Sequence, residues 1–529
     1  MAVPTPAFVT PPIDCHAQAL LEKHLPRPNA KKIFLFCDGT GNKFNPSKAG
    51  DGNSNVVKLY TTLRVADNQV AYYHPGVGTL GDPSIRRRIP RFWSMVKGLA
   101  FGAGFQANVL DAYRYLMEVY NDGDEIYLFG FSRGAYTARA LAGMLHGYGL
   151  LCRGNEGHLI YAWNMFHDEA KRTRKLLKVA PKTGVADQRS HTIQRNYAFA
   201  ETYSRKVSIR FMGLWDTVSS VGWIYSPLRL LDMAQNPIVQ VGRHAVSIDE
   251  RRAFYRDNLW GRPVNIDDPE WPEQLRDQGI YQDLTQVWFP GAHSDVGGSY
   301  PQDETAPANE TLRWMIGELV KHGAELCQER VDMVLGTPSG FFSADAIYTP
   351  PPAPDHCLHN QLKGLWWILE GFPQQYYDKE DATILWRVPY GVPRAIPDGS
   401  IIHGSAVRRL YRTTPGEIPY TPLNLTSDQV QQAAAPVPGT TADFSDCFIF
   451  RAKAAKSSGS SKTTQRYLKL AVGWISFVVF WAVIATVAWY FLGLVVSAAV
   501  GMFWLITHAP LLKRLFGWVP SYPLFVMRK

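Results

Sequence analysis

Asp124-Glu125-Ile126-Tyr127-Leu128-Phe129-Gly130-Phe131-Ser132-Arg133-Gly134-Ala135 is the stretch on which the reading of this chain turns. Four apolar residues, Ile126 to Phe129, form a run short enough to be a buried strand. Gly130-Phe131-Ser132-Arg133-Gly134 follows, and then a segment rich in alanine whose apolar residues, Ala138, Leu141, Ala142 and Leu145, repeat at helical spacing. Strand, tight turn and helix around G-x-S-x-G make a nucleophile elbow. Glycine is needed on both sides because the backbone must pass close to its neighbours while the serine hydroxyl stays presented. Ser132 is therefore the candidate nucleophile.

Working outward, the pattern of strand and helix repeats. Ile33 to Cys37 is an apolar run ended by Asp38-Gly39-Thr40-Gly41, and Val70 to Tyr73 is another, ended by Pro75-Gly76-Val77-Gly78. Val207 to Leu214 and Gln286 to Phe289 add two more. Between them Phe105 to Tyr120 carries Val109, Ala112, Tyr113, Leu116 and Tyr120 at helical spacing. Alternation of this kind predicts an α/β fold, a mainly parallel sheet with helices on both faces. In such sheets ligands gather at the carboxyl ends of the strands, where the glycine-rich turns fall. Residues 224–285 are expected to contain helical material, and a helix is expected over 309–329 before the chain turns Pro-rich and irregular.

A serine hydroxyl becomes a nucleophile only when a neutral imidazole takes its proton and a carboxylate orients that imidazole. Asp216 closes the strand Ser208 to Trp215 and is the candidate orienter. His293, in Pro290-Gly291-Ala292-His293-Ser294-Asp295-Val296-Gly297-Gly298, follows another strand and ranks first as base. His244, in a segment read as helical, and His403, beyond the clear strand–helix pattern, stay open as alternatives. The oxyanion hole is expected to combine the backbone N–H of Arg133 with one from the 38–42 loop, Gly39. That loop could equally cradle a phosphate or a metal. No His-rich metal constellation is visible, and neither a catalytic metal nor a cofactor is expected.

Composition bounds the rest. The chain has 529 residues, net charge +9 and scattered basic residues without a nucleic-acid motif, so no nucleic-acid partner is expected. The six cysteines show no C-x-x-C spacing and do not read as a disulfide framework or a zinc site. Residues 1–30 read as a flexible lead-in without a secretory signal, which puts the catalytic domain, 31–450, in the cytosol. Within it the polar, basic stretch 152–205 is a candidate lid or surface insertion. A basic, Ser-rich linker follows at 451–467. Residues 470–507 contain no Asp, Glu, Lys or Arg, so 468–508 is expected to be a transmembrane segment. Arg466 and Lys469 before it, and Lys513 and Arg514 after it, favour a helical hairpin with both ends in the cytosol over one tilted span followed by an interfacial segment. Residues 509–529 form a short basic tail. An intracellular membrane, such as the endoplasmic reticulum, is the expected location.

Five motifs in order make the chain similar to a known family: Phe36-Cys37-Asp38-Gly39-Thr40, His74-Pro75-Gly76-Val77-Gly78-Thr79, the 124–135 stretch, Gly213-Leu214-Trp215-Asp216-Thr217-Val218 and His293-Ser294-Asp295-Val296-Gly297-Gly298. Over about residues 31–410 the chain resembles the uncharacterised α/β-hydrolase family that includes the phospholipase effectors of bacterial type VI secretion. The resemblance implies an esterase or lipase acting on acyl lipids, with Ser132, an aspartate and a histidine as its triad. The uncharged C-terminal run departs from the secreted effectors and looks like that of a eukaryotic, fungal-type member held on its own membrane. Three functions fit: a carboxylic-ester hydrolase of the phospholipase type, a tethered interaction module that has lost activity, and an acyltransferase using the same serine.

Overall fold

The computed structural model describes residues 30–39, 52–64, 66–76, 102–179, 198–218, 222–223, 226–227, 236–261, 282–301, 303–336, 358–364, 366–371, 374–378, 383–411, 420–432, 447–452 and scattered positions between 478 and 501. The chain divides into two compact units, residues 1–370 with 374–457, and residues 371–373 with 458–529.

The first unit is built on a nine-stranded sheet. Its strands are β1 (Lys32–Cys37), β2 (Gln69–His74), β3 (Glu125–Phe131), β4 (Ile209–Trp215), β5 (Val239–Ser247), β6 (Asp283–Phe289), β7 (Ile401–His403), β8 (Val430–Gln432) and β9 (Cys447–Phe450). They lie in the order β8-β9-β7-β6-β5-β4-β3-β1-β2. Every pairing from β2 to β7 is parallel, and only β8 and β9 run antiparallel at the edge. The alternating strands and helices of the sequence thus give the expected mainly parallel α/β sheet.

Period-two alternation divides the core. Ile33 and Leu35 of β1, with Ile126 and Leu128 of β3, point to one face. There α2 (Gly102–Val119), α3 (Arg133–Tyr148) and α4 (Leu159–Val179) cover them. Phe34, Phe36, Tyr127, Phe129 and Phe131 point to the other face, against α1 (Asn55–Thr62), α5 (Ala306–Lys321) and α6 (Gln328–Leu335). Aromatic rings fill that second face in a stacked row, with Phe34–Tyr127 centroids at 4.6 Å and Phe36–Phe129 at 4.9 Å. Both faces are covered, which is why these strands read as continuous apolar runs.

Several expectations are corrected. Residues 239–247 form the central strand β5, not a helix, and residues 262–281 lie outside the described residues. The helix expected over 309–329 is two helices, because α5 ends at Lys321 and α6 begins at Gln328. The irregular region 301–450 supplies three strands of the nine-stranded sheet and a separate antiparallel pair, Gln374–Asp378 with Thr383–Arg387. In the candidate lid region, α4 buries Leu159, Ala162, Trp163, Phe166 and Ala170 in the core. Residues 180–197 of that region lie outside the described residues.

Among the described residues no helix is long and apolar enough to cross a membrane. The expected membrane segment, 468–508, lies largely outside the described residues. Its described positions, 478, 482, 486, 489–493, 496–498, 500 and 501, are all helical and all exposed.

Candidate active site

β1 pairs with β2 on one side and β3 on the other, so the strand order reverses between β1 and β3. A crevice opens at such a switch point, at the carboxyl ends of the strands. The Asp38–Gly39 turn leaves β1 there, and Ser132 leaves β3 beside it.

The elbow has the geometry its glycines predict. Ser132 has φ 59° and ψ −122°, a backbone conformation that favours glycine. A Cβ on Gly130 would stand 2.5 Å from the Cα and N of Ala135. One on Gly134 would stand 2.6 Å from the carbonyl oxygen of Asp38 and closer still to that of Cys37. The missing side chain at Gly134 therefore lets the end of β1 lie against the first turn of α3. Ser132 caps α3, yet its side chain makes no capping hydrogen bond. The hydroxyl points to His293 instead.

Ser132 Oγ lies 2.8 Å from His293 Nε2, and His293 Nδ1 lies 2.5 Å from Asp216 Oδ2. All three side chains are buried. With Asp216 ionised, the N–H belongs on Nδ1, and Nε2 is left to accept from the serine. His293 opens the helical turn His293–Gly297, whose N-cap is Ala292. Asp295 Oδ2 accepts the Ala292 N–H at 2.9 Å, while Gly291 before it takes φ 105°. Asn55 of α1 donates to the carbonyls of Val296 and Ala308, tying this turn to α1 and α5. The imidazole lies between two aromatic rings, Phe131 at 4.7 Å and Tyr255, edge-on, at 4.6 Å.

Asp216 follows β4 with φ 39°, and four donors meet its carboxylate. Arg394 reaches Oδ1 at 2.5 Å and Oδ2 at 3.0 Å, the Ser247 N–H reaches Oδ1 at 3.0 Å, and His293 takes Oδ2. Burial pushes this carboxyl up, but Arg394 and the His293 hydrogen bond outweigh it and hold Asp216 well below the usual carboxylate range. Burial lowers His293 below the ordinary histidine value, against the opposing pull of Asp216. A charged aspartate and a neutral imidazole are the states a general base and its orienter need.

The alternative bases lie elsewhere. His244 is on strand β5, where its Nε2 accepts the Thr217 N–H at 3.1 Å and its Nδ1 faces Gln286 at 3.3 Å. His403 ends β7, bonded to Ser405 Oγ at 2.8 Å and stacked on Phe289. Burial lowers both to about 3. Of the expected oxyanion donors, Arg133 opens α3 directly after Ser132. The Gly39 N–H, in contrast, donates to Asp38 Oδ1 at 2.7 Å, and Tyr73 OH holds the other oxygen at 2.9 Å. Gly39 can serve an oxyanion only when Asp38 releases its amide.

Three groups escaped sequence reading. Arg394 clamps Asp216 from a Pro-rich stretch. Glu250 accepts the His293 backbone N–H at 3.3 Å and pairs with Arg252 at 2.7 Å. Arg252 in turn lies over the Tyr255 ring at 3.7 Å. Arg394 and Glu250 have no local signature, because Asp216 and His293, on which they act, lie far away in sequence.

The family model described as "T6SS, Phospholipase effector Tle1-like, catalytic domain" matches residues 31–318. This chain belongs to that family. The matched segment includes Ser132, Asp216 and His293 of the Tle1-like domain, and it ends before Arg394. The family's description is that of a phospholipase-type hydrolase, in agreement with the resemblance read from the five motifs. An uncharacterized protein of Saccharomyces cerevisiae is 27% identical over 409 residues, 56% of this chain and 58% of that protein. The chain thus spans little more than half the length of that relative. The crystal structure of an uncharacterized protein from Pseudomonas aeruginosa is 19% identical, covering 61% of this chain and 52% of that one, with a TM-score of 0.31.

Proposed function

We propose that this chain is a membrane-anchored serine hydrolase that cleaves carboxylic esters of lipids, in the manner of a phospholipase, through an acyl-enzyme on Ser132. The observation that carries the reading is the unbroken line from Ser132 Oγ through His293 to Asp216, with hydrogen bonds of 2.8 and 2.5 Å. In this mechanism Nε2 of His293 takes the hydroxyl proton as Oγ attacks the ester carbonyl. The imidazolium is stabilised by Asp216 and returns the proton to the leaving alcohol. Water, activated by the same imidazole, then releases the acyl group. The tetrahedral oxyanion faces the N–H of Arg133 and, once Asp38 has yielded it, that of Gly39. Each such donor typically contributes on the order of 3 kcal/mol to the transition state.

The charge-free run 470–507 supports the anchor, and its described positions are exposed and largely apolar, Trp489, Tyr490, Phe491 and Leu492 among them. Cationic flanks on both sides favour a hairpin that keeps both ends, and the catalytic domain, on the cytosolic face of an intracellular membrane. Tethering raises the effective concentration of a bilayer substrate.

Purified full-length protein should react with a fluorophosphonate probe and release fatty acid from at least one phospholipid or lysophospholipid class. Ser132→Ala should do neither while remaining folded. Labelling of Ser132→Ala at another serine would remove the assignment. Tags at both termini should be digested by protease added to intact microsomes, and protection of either would reject the hairpin.

A further inference from the structure

Arg394 lies 178 residues after Asp216 and beyond the matched family segment, yet it makes the closest charged contact to the orienting carboxylate. We propose that Arg394 is a positioning residue of the reaction: its guanidinium fixes the plane of the Asp216 carboxylate and shares its negative charge, weakening the hold of that carboxylate on a proton at His293. The inference rests on the serine-hydrolase reading of the site.

The geometry is that of a two-point clamp. Nη1 meets Oδ1 at 2.5 Å and Nη2 meets Oδ2 at 3.0 Å, a planar fork on a planar carboxylate. Arg394 is itself held. Nη1 also reaches the Ser247 carbonyl at 3.2 Å, and Nη2 donates to that of Tyr255. Asn424 Nδ2 donates at 3.0 Å to the carbonyls of both Arg394 and Ile248, fastening the backbone. A buried side chain secured at so many points does not swing away during turnover.

The electrostatic consequence follows from position. A carboxylate facing only an imidazole stabilises the imidazolium with its full charge. Here the same two oxygens face a permanent cation, so the Asp216–His293 pair takes up a proton less readily. The other charges around the pair do not supply this effect alone. On the His293 side, Glu250 and Arg252 are bonded to each other at 2.7 Å and largely cancel, with the ring of Tyr255 beside them. On the Asp216 side stands the imidazole of His244, with Arg139 near that imidazole, and Asp257 and Glu250 face Arg394. Arg394 is the cation in direct contact with the carboxylate. The acid limb of the reaction therefore lies lower with Arg394 present than without it, and the Ser132 hydroxyl stays activated in mildly acidic surroundings.

The test is the pH dependence of the rate constant for fluorophosphonate labelling of the full-length protein, normalised to the labelled end-point. In Arg394→Met the acid limb is expected to move up by about one pH unit. In Arg394→Lys, which keeps the charge but not the fork, the limb should stay near the wild-type position while labelling slows roughly tenfold. An unmoved limb in Arg394→Met, or an equal shift in both variants, overturns the proposal. Should Arg394→Met alone not fold, thermal unfolding of Asp216→Asn and of Asp216→Asn with Arg394→Met decides. Asp216→Asn strands the buried guanidinium and lowers the midpoint, and removing Arg394 as well should recover at least half of the loss. Absence of recovery would overturn the pairing. Labelling that survives in Ser132→Ala would instead count against the serine reading itself, so the two failures are distinct.

Discussion

Replacing Ser132 by glycine and by alanine should separate the conformational cost of the elbow from its chemistry. Both substitutions remove the Oγ that bonds His293 at 2.8 Å, so both abolish labelling and leave the same imidazole without that partner. Neither removes a helix cap, since Ser132 makes no capping hydrogen bond to α3. They differ in the Cβ. At φ 59° and ψ −122° an L side chain is strained, and alanine keeps that strain while glycine relieves it. Strain of this kind costs about 1–3 kcal/mol. Against it, glycine gives the unfolded chain more freedom, a penalty of about 0.5–1 kcal/mol. The difference leaves Ser132→Gly more stable than Ser132→Ala by up to about 2.5 kcal/mol, and by about 1 kcal/mol at the middle of the two ranges. Urea unfolding of the two inactive variants, with equal slopes, measures it directly. If Ser132→Gly proves equal to or less stable than Ser132→Ala, the elbow stores no strain and the reasoning fails.

Other consequences follow from the same geometry. Burial lowers His244 and His403 to about 3, so each is neutral when folded and takes up a proton on unfolding between that value and an ordinary pKa near 6.5. Their contribution to stability is full above about pH 6.5 and falls as pH drops, by about 1.4 kcal/mol per pH unit for each. Replacing either by glutamine should flatten the acid slope of urea stability by that amount, and an unchanged slope would show that the residue is not buried neutral. Gly134→Ala should destabilise by about 3 kcal/mol or more, because its Cβ meets two backbone carbonyls of the buried end of β1 that have no room to retreat. Gly147→Ala on the same helix meets nothing within 4 Å and should instead stabilise by about 0.5–1 kcal/mol, as denaturant midpoints would reveal. A fragment of residues 31–318 should fail to label with fluorophosphonate, since it lacks three strands of the central sheet, β7, β8 and β9; a fully reactive fragment would refute this.

What could be read in the sequence was what is encoded over a few residues. The strand–elbow–helix stretch, the glycines at 130 and 134, and the strand-end positions of Asp216 and His293 are local signals, and the structure brings those three side chains together. The misreading of β5 has a definite cause. Val239–Ser247 carries Arg243 and His244 in its middle, which are poor residues for a buried parallel strand. Arg243 is tolerated because Asp283 of β6 and Glu318 of α5 both meet it at 2.6 Å, and His244 because Thr217 and Gln286 satisfy its two nitrogens. None of those partners is near in sequence, so nothing in the strand itself announces that its charge is neutralised. Arg394 is invisible for the same reason, its only signal being one arginine in a proline-rich stretch. Three-residue strands such as β7 are likewise too short to show a period.

The topology explains why local signals sufficed for the triad and failed for its support. In a parallel sheet every strand ends at the same edge, so one residue placed just past each strand end meets its counterparts without any long-range design. Ser132 follows β3, Asp216 follows β4, His293 comes shortly after β6, and the skipped strand β5 ends at Ser247, whose N–H completes the hold on Asp216. The Gly39 turn closes the set from β1, across the reversal of strand order. Candidate site residues can therefore be found by asking which polar residue closes each apolar run. The charged residues that contact them face no such constraint. Arg394, Glu250 and Asp38 need only arrive with the right charge at the right distance, and any loop over that edge can deliver them. In this fold the candidate triad is placed at strand ends, while the charges that contact it arrive on loops whose sequence carries no period at all.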